Sequence, residues 1–123
     1  MEKVYTSKAP AAIGPYSQAY KHGDLIFTSG QIGADPSTGL LPSTIQEQAK
    51  LACDNVKAVL EEAGSALTCV LKTTCFLADI KDFSEFNNVY AEYFTEKPAR
   101  SCFAVKDLPK GALCEIEAIA VIK

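Results

Sequence analysis

Between Ile45 and Ala63 apolar residues recur at intervals of three and four: Ile45, Ala49, Ala52, Val56, Val59, Leu60 and Ala63. One stripe of that period predicts an amphipathic helix. Ser43 and Gln46 stand as a capping box before it, and Gly64 is placed to end it. A second stripe, Phe83, Phe86, Val89, Tyr90, Tyr93 and Phe94, predicts a helix that starts near Asp82 and stops at Pro98. Elsewhere the period falls to two. Lys3–Tyr5, Tyr16–Tyr20, Leu25–Ser29, Ser101–Val105 and Glu115–Val121 read as strands. Val70–Leu77 is apolar on both faces and reads as a central strand. His22-Gly23-Asp24 is a hairpin tip, which leaves His22 solvated, and Asp35-Pro36-Ser37-Thr38-Gly39 is a second turn.

Strands, helix, strand, helix, strands is an α+β order, with two helices laid on one face of a mixed sheet. The last strand carries Cys114, Ile116, Ala118, Ala120 and Ile122 on one side, and Glu115, Glu117, Ile119 and Val121 on the other. In Val70–Leu77, the residues Leu71, Thr73, Cys75 and Leu77 stand opposite Val70, Thr74 and Phe76. Two helices cover only one of these faces. Large bare apolar patches are rare on monomers, so the second face predicts a homo-oligomer.

The chain has 123 residues, which bounds it to one domain, 1–123. A net charge of −3 argues against a phosphate-backbone binder, so no nucleic-acid partner is expected. The N-terminus lacks an apolar signal region, and the run Ala118–Ile122 is far short of a membrane span. The expectation is a cytoplasmic protein without a membrane partner. Five cysteines, an odd number without Cys-x-x-Cys, support neither a disulfide framework nor a zinc ribbon. Most read as small buried hydrophobes. A single histidine excludes a His-rich metal site and a Ser-His-Asp set. No metal and no cofactor is expected.

Candidate chemistry lies where polar residues interrupt apolar patterns. Arg100 enters a strand, sharing a face with Cys102 and Ala104. A half-buried guanidinium needs an anion, either an internal carboxylate or a ligand. Glu115 and Glu117 share a face on a strand expected to pair with that of Arg100; either could partner the arginine or handle protons. Asn87 falls on the buried stripe of its helix, free to meet a ligand or a neighbouring carbonyl. Ser29 and Gly30, in Thr28-Ser29-Gly30-Gln31, offer hydroxyl and N–H donors to an anion.

These residues sit in a larger pattern. Ala11-Ala12-Ile13-Gly14-Pro15-Tyr16-Ser17-Gln18-Ala19, Thr28-Ser29-Gly30-Gln31-Ile32, Pro98-Ala99-Arg100-Ser101-Cys102, Leu108-Pro109-Lys110-Gly111 and Glu115-Ile116-Glu117-Ala118-Ile119-Ala120-Val121 follow in order along the chain. The chain thereby resembles the RidA (YjgF) family of reactive intermediate deaminases. The resemblance implies a chorismate-mutase-like α+β fold, a homotrimer whose sheets form a central barrel, and sites at the subunit interfaces. It implies 2-iminobutanoate/2-iminopropanoate deaminase activity, yielding 2-oxo acids and ammonia. By the same resemblance Arg100 holds the substrate carboxylate and Glu115, rather than Glu117, orients the hydrolytic water. Cys102 lines the pocket, and Tyr16, Ser29, Gly30 and Asn87 are further substrate-binding positions. Only Thr95-Glu96-Lys97 separates the second helix from Pro98, where some members are longer. The alternatives are a non-catalytic trimer that binds 2-oxo acids, regulatory or chaperone-like, and an RNA-directed protein.

Overall fold

A computed structural model describes residues 1–123. The strands are β1 (Glu2–Val4), β2 (Ala19–His22), β3 (Leu25–Thr28), β4 (Gln31–Ile32), β5 (Val70–Leu77), β6 (Ala99–Ala104) and β7 (Cys114–Val121). The helices are α1 (Ile45–Glu62) and α2 (Phe83–Tyr93). One sheet runs β1-β2-β3-β7-β5-β6, with β4 also on β7. The β5–β6 pair is parallel and the other pairs are antiparallel. The α+β expectation with both helices on one face of a mixed sheet is met.

The α1 stripe is buried from Ile45 to Ala63. It packs with Phe86 and Phe94 of the α2 segment against Ile26, Leu77 and Ile116 of the sheet, all fully buried. Gly64, at φ 87°, ends α1: its N–H donates to the Glu61 carbonyl and that of Ser65 to Leu60. That is the paired closure a left-handed residue permits after a helix. The N-terminal cap lies one residue later than the sequence suggests. Thr44, not Ser43, accepts from the Glu47 N–H at 3.2 Å, and its hydroxyl donates to the Glu47 carboxylate at 2.9 Å. Both frames fit a capping box, and the burial of Ile45 decides between them.

Four further differences follow from geometry the periodicity does not carry. The second strand begins at Ala19 rather than Tyr16, because the Tyr16 N–H turns back to the Gly14 carbonyl. Helix α2 ends at Tyr93, well before Pro98, and Lys97 takes a left-handed φ of 52° in the connection. A bulge between Val70 and Lys72 leaves Leu71 half exposed and puts Val70 on the helix side with Thr73, Cys75 and Leu77. Strand β7 does not pair with β6, since β5 lies between them.

At the turn between β2 and β3, Gly23 takes φ 59° and His22 is exposed. Strands β3 and β4 lie end to end along β7, interrupted at Ser29-Gly30. Across the break the Ala118 N–H donates to the buried Thr28 hydroxyl at 3.0 Å, so the ladder donor stays satisfied. On the sheet face away from the helices, Tyr20, Leu25, Phe27 and Phe103 are exposed, with Ile119, Val121 and Phe76 half-buried beside them. No element of the chain covers this face. Thr44→Ala should lower stability by about 1 kcal/mol, while Ser43→Ala stays within about 0.5 kcal/mol of the parent. Urea denaturation of both variants checks this; equal losses would contradict the cap assignment.

Candidate functional site

Arg100 and Glu115 lie on opposite faces of the sheet. Arg100 pairs in register with Thr73, whose buried side chain faces the helices. Glu115 pairs with Phe76, whose row opens on the bare face. The polar candidates therefore form two groups within one chain.

The first group is built under α2. The Arg100 guanidinium donates to Asn87 Oδ1 at 2.8 Å and lies over the Tyr90 and Phe83 rings, 4.7 and 5.5 Å from their centroids. Phe83, Asn87 and Tyr90 follow at helical spacings of four and three, so one face of α2 supplies all three contacts. The Tyr90 hydroxyl is in turn bonded to the Thr73 hydroxyl at 2.6 Å, which fixes the ring. No carboxylate pairs with this arginine: the one ion pair in the chain is Lys81 with Asp79, on the surface. Of the two partners the sequence leaves open, the internal carboxylate is absent. Aromatic faces and one amide oxygen hold the guanidinium in place without neutralising it, and leave further N–H donors for an anion. A cleft of about 270 Å³ opens here between Asn87, Tyr90, Thr95, Lys97, Pro98 and Arg100.

Cys102 is two residues along β6 from Arg100, half-buried and in register with Cys75 of β5. The neighbouring Cys75 thiol holds the Cys102 thiol below the usual range, with the Arg100 charge a smaller contributor. Cys75 is pushed up by its neighbour Cys102 and by burial.

The second group surrounds Glu115 at the break in the β3–β4 line. This carboxyl is half-buried, and burial, with the Glu117 charge behind it, raises its pKa. Glu117 itself is exposed. Gly30 sits against Glu115 so closely that a Cβ would lie 2.7 Å from the carboxyl carbon. A glycine is required there to leave the carboxylate its place. Tyr16, half exposed, and Gly30, Gln31, Pro109 and Lys110 line a hollow of about 80 Å³ with Glu115. Ser29 stands differently from expectation: its hydroxyl donates to the Ser17 carbonyl at 2.5 Å and its N–H to the Gln18 carbonyl at 2.8 Å. Both donors hold the loop.

Three contributors escape a sequence reading. Tyr90 and Thr73 look like core positions, and nothing in their spacing announces a hydroxyl pair beneath an arginine. Gln18 is buried; it accepts from the Thr6 N–H at 2.7 Å and donates to the Thr6 and Pro10 carbonyls at 3.1 and 2.8 Å. It thereby ties the N-terminal segment into the wall of the Glu115 hollow. A glutamine beside a strand start was its only signal.

The ring-stacked guanidinium presents N–H donors without a carboxylate partner to an open cleft, and the carboxyl on the opposite face is a group of raised proton affinity. Residues 6–122 match the family model described as Endoribonuclease L-PSP. A bovine protein named 2-iminobutanoate/2-iminopropanoate deaminase is 52% identical over 120 residues, covering 96% of this chain and 88% of that one. A RutC family protein of Pyrococcus abyssi is 53% identical over 121 residues, covering 97% and 95%. Among solved structures, Escherichia coli TdcF with bound serine superposes with a TM-score of 0.96 at 44% identity, covering 100% of both chains. The E. coli YjgF gene product does so with a TM-score of 0.96 at 46% identity, also covering 100% of both. The chain belongs to this Endoribonuclease L-PSP family, the RidA/YjgF family of the sequence expectation.

Glu115 provides a test through stability. Its folded-state pKa is raised. The folded chain therefore keeps this proton to higher pH than the unfolded chain, and loses stability as pH climbs from the ordinary carboxylate range through the raised value. Glu115→Gln should raise the melting temperature at pH 7, and the gain should vanish near pH 3. A variant less stable than the parent at pH 7 would contradict the burial assignment.

Proposed function

We propose that the chain hydrolyses reactive imino acids, 2-iminopropanoate and 2-iminobutanoate with their enamine tautomers such as 2-aminoacrylate, to 2-oxo acids and ammonia. The observation that carries this reading is the free guanidinium of Arg100, whose fork suits a carboxylate. The name of the bovine relative supports the substrate class. The serine bound to TdcF, a three-carbon amino acid, is of matching size.

In this reading the substrate carboxylate docks on Arg100 in the Asn87–Tyr90 cleft. The enamine tautomer takes a proton from solvent at carbon to become the iminium. Water beside Glu115 gives a proton to the carboxylate and adds its oxygen to the iminium carbon. The resulting carbinolamine takes that proton on nitrogen and expels ammonia as the hydroxyl releases its own proton to solvent and becomes the 2-oxo group. One water is consumed and one ammonia released, without a cofactor. A carboxyl of raised proton affinity suits this exchange near neutral pH. Cys102 follows Arg100 on the same face of β6, and Tyr16, Ser29 and Gly30 shape the water side.

Arg100 and Glu115 face apart in one chain, so they serve one substrate only if two copies contribute. The bare sheet face carrying Tyr20, Phe27, Ile119 and Phe103 is the surface on which copies would meet. Three copies, with their sheets turned inward as a barrel and a site at each junction, satisfy both needs. Light scattering of the purified chain should give three times the chain mass; a monodisperse monomer would overturn the assembly.

A second reading, a trimer that binds 2-oxo acids without turnover, draws on the same arginine and on the serine-bound TdcF structure. The discriminating experiment generates 2-iminobutanoate with a threonine dehydratase and follows 2-oxobutanoate. The parent chain should accelerate its appearance, and Arg100→Ala should lower kcat/KM by about 10- to 100-fold for each charge-assisted bond lost. Saturable binding of 2-oxobutanoate without acceleration would establish the second reading. Undiminished activity in Arg100→Ala would remove the clamp.

A further inference from the structure

Cys75 and Cys102 are Cα partners across the parallel β5–β6 ladder and share the helix-side face. Neighbouring strands lie about 4.7–4.9 Å apart, inside the Cα separation that a disulfide spans. The two thiols are close enough that each shifts the proton affinity of the other, Cys75 upward and Cys102 downward. Their exposures differ: Cys75 is fully buried, while Cys102 is only half-buried. One thiol is reachable by a molecule the size of water and the other stands behind it. The remaining cysteines lack this arrangement. Cys53 and Cys114 also lie near each other, but both are fully buried and burial pushes both thiols up. Cys69 stands before β5 in the short turn Leu67–Cys69, away from the paired positions.

We propose that Cys75 and Cys102 form a peroxide-oxidised modification site, in which Cys102 reacts with a hydroperoxide and Cys75 resolves it to a disulfide bridging β5 and β6. The Cys102 thiolate attacks the peroxide O–O bond. With hydrogen peroxide, sulfur takes one oxygen as a sulfenic acid, and the other oxygen leaves as water after gaining a proton. The Cys75 sulfur then attacks the sulfenic sulfur, the S–O bond breaks, and the Cys75 proton leaves with the hydroxyl as a second water. The two sulfurs give up two electrons, and the peroxide accepts them. The lowered pKa of Cys102 favours the attacking thiolate. The Cys75 thiol also donates to Thr73 Oγ1 at 3.9 Å, and that hydroxyl bonds Tyr90 under the Arg100 guanidinium. The pair thus adjoins the anion clamp, although the oxidation stands whether or not the chain turns over imines.

The test exposes the native, reduced full chain to hydrogen peroxide, blocks remaining thiols after unfolding, and maps peptides by mass spectrometry. The expected product is 2 Da lighter than the reduced chain, has lost two alkylatable thiols, and yields one peptide pair joined through Cys75 and Cys102. A dithiol reductant should restore both thiols. Cys75→Val should leave Cys102 as a sulfenic acid trapped by a dione probe, and Cys102→Ser should leave Cys75 alkylatable after the same treatment. If the parent chain instead shows Cys102 carrying oxygen with Cys75 still free, or a bridge between other cysteines, the proposal is overturned, however the variants fold.

Discussion

Two helices can cover one face of this sheet, and the second face stays apolar. Everything distinctive about the chain depends on that shortage. α1 and α2 spend their stripes on Ile26, Leu77 and Ile116. Tyr20, Leu25, Phe27 and Phe103 are left without a partner element. The same division sorts the polar outliers. Arg100 points into the helix layer, where α2 can stack rings on it. Glu115 points to the bare side, where the break at Ser29-Gly30 gives it a hollow. A site needing both must draw them from two copies, so the apolar face and the chemistry have one cause.

The arginine is held by means that do not cancel its charge. A carboxylate partner would bind the guanidinium more tightly, but would leave it little attraction for a ligand. Tyr90 and Phe83 give position, Asn87 gives one hydrogen bond, and Thr73 fixes the tyrosine in turn. Gly30 plays the complementary part on the other face by what it lacks. Any Cβ there would occupy the space of the Glu115 carboxyl.

The parts legible in the sequence are those set by local spacing. The α1 stripe from Ile45 to Ala63, the turn at Gly23 and the Gly64 closure all depend on residues within a few positions of one another. The polar outliers were legible for the same reason, since Arg100 and Glu115 each interrupt a strand pattern. Strand neighbours were not. One short loop between β6 and β7 suggests a hairpin, yet β5 enters between them, because pairing is decided by burial of Cys75 and Leu77 in the middle of the sheet. In the resulting rows Arg100 aligns through Thr73 with Ala118 on the helix side, and Glu115 aligns through Phe76 with Phe103 on the bare side. The Leu71 bulge and the choice of Thr44 over Ser43 were hidden because two registers satisfy the same local rule. Tyr90 and Thr73 stayed hidden because a buried hydroxyl pair has the spacing of ordinary core.

The central claim is that one site takes its arginine from one copy and its glutamate from another. Co-expression of Arg100→Ala with Glu115→Gln under two different affinity tags, followed by purification through both, isolates mixed oligomers. In each mixed trimer about one junction in three would join an intact arginine to an intact glutamate. The account predicts that these mixed oligomers regain deaminase activity that neither variant shows alone. Mixed oligomers as inactive as their parents would contradict it, since a site built within one copy could not be repaired by a neighbour.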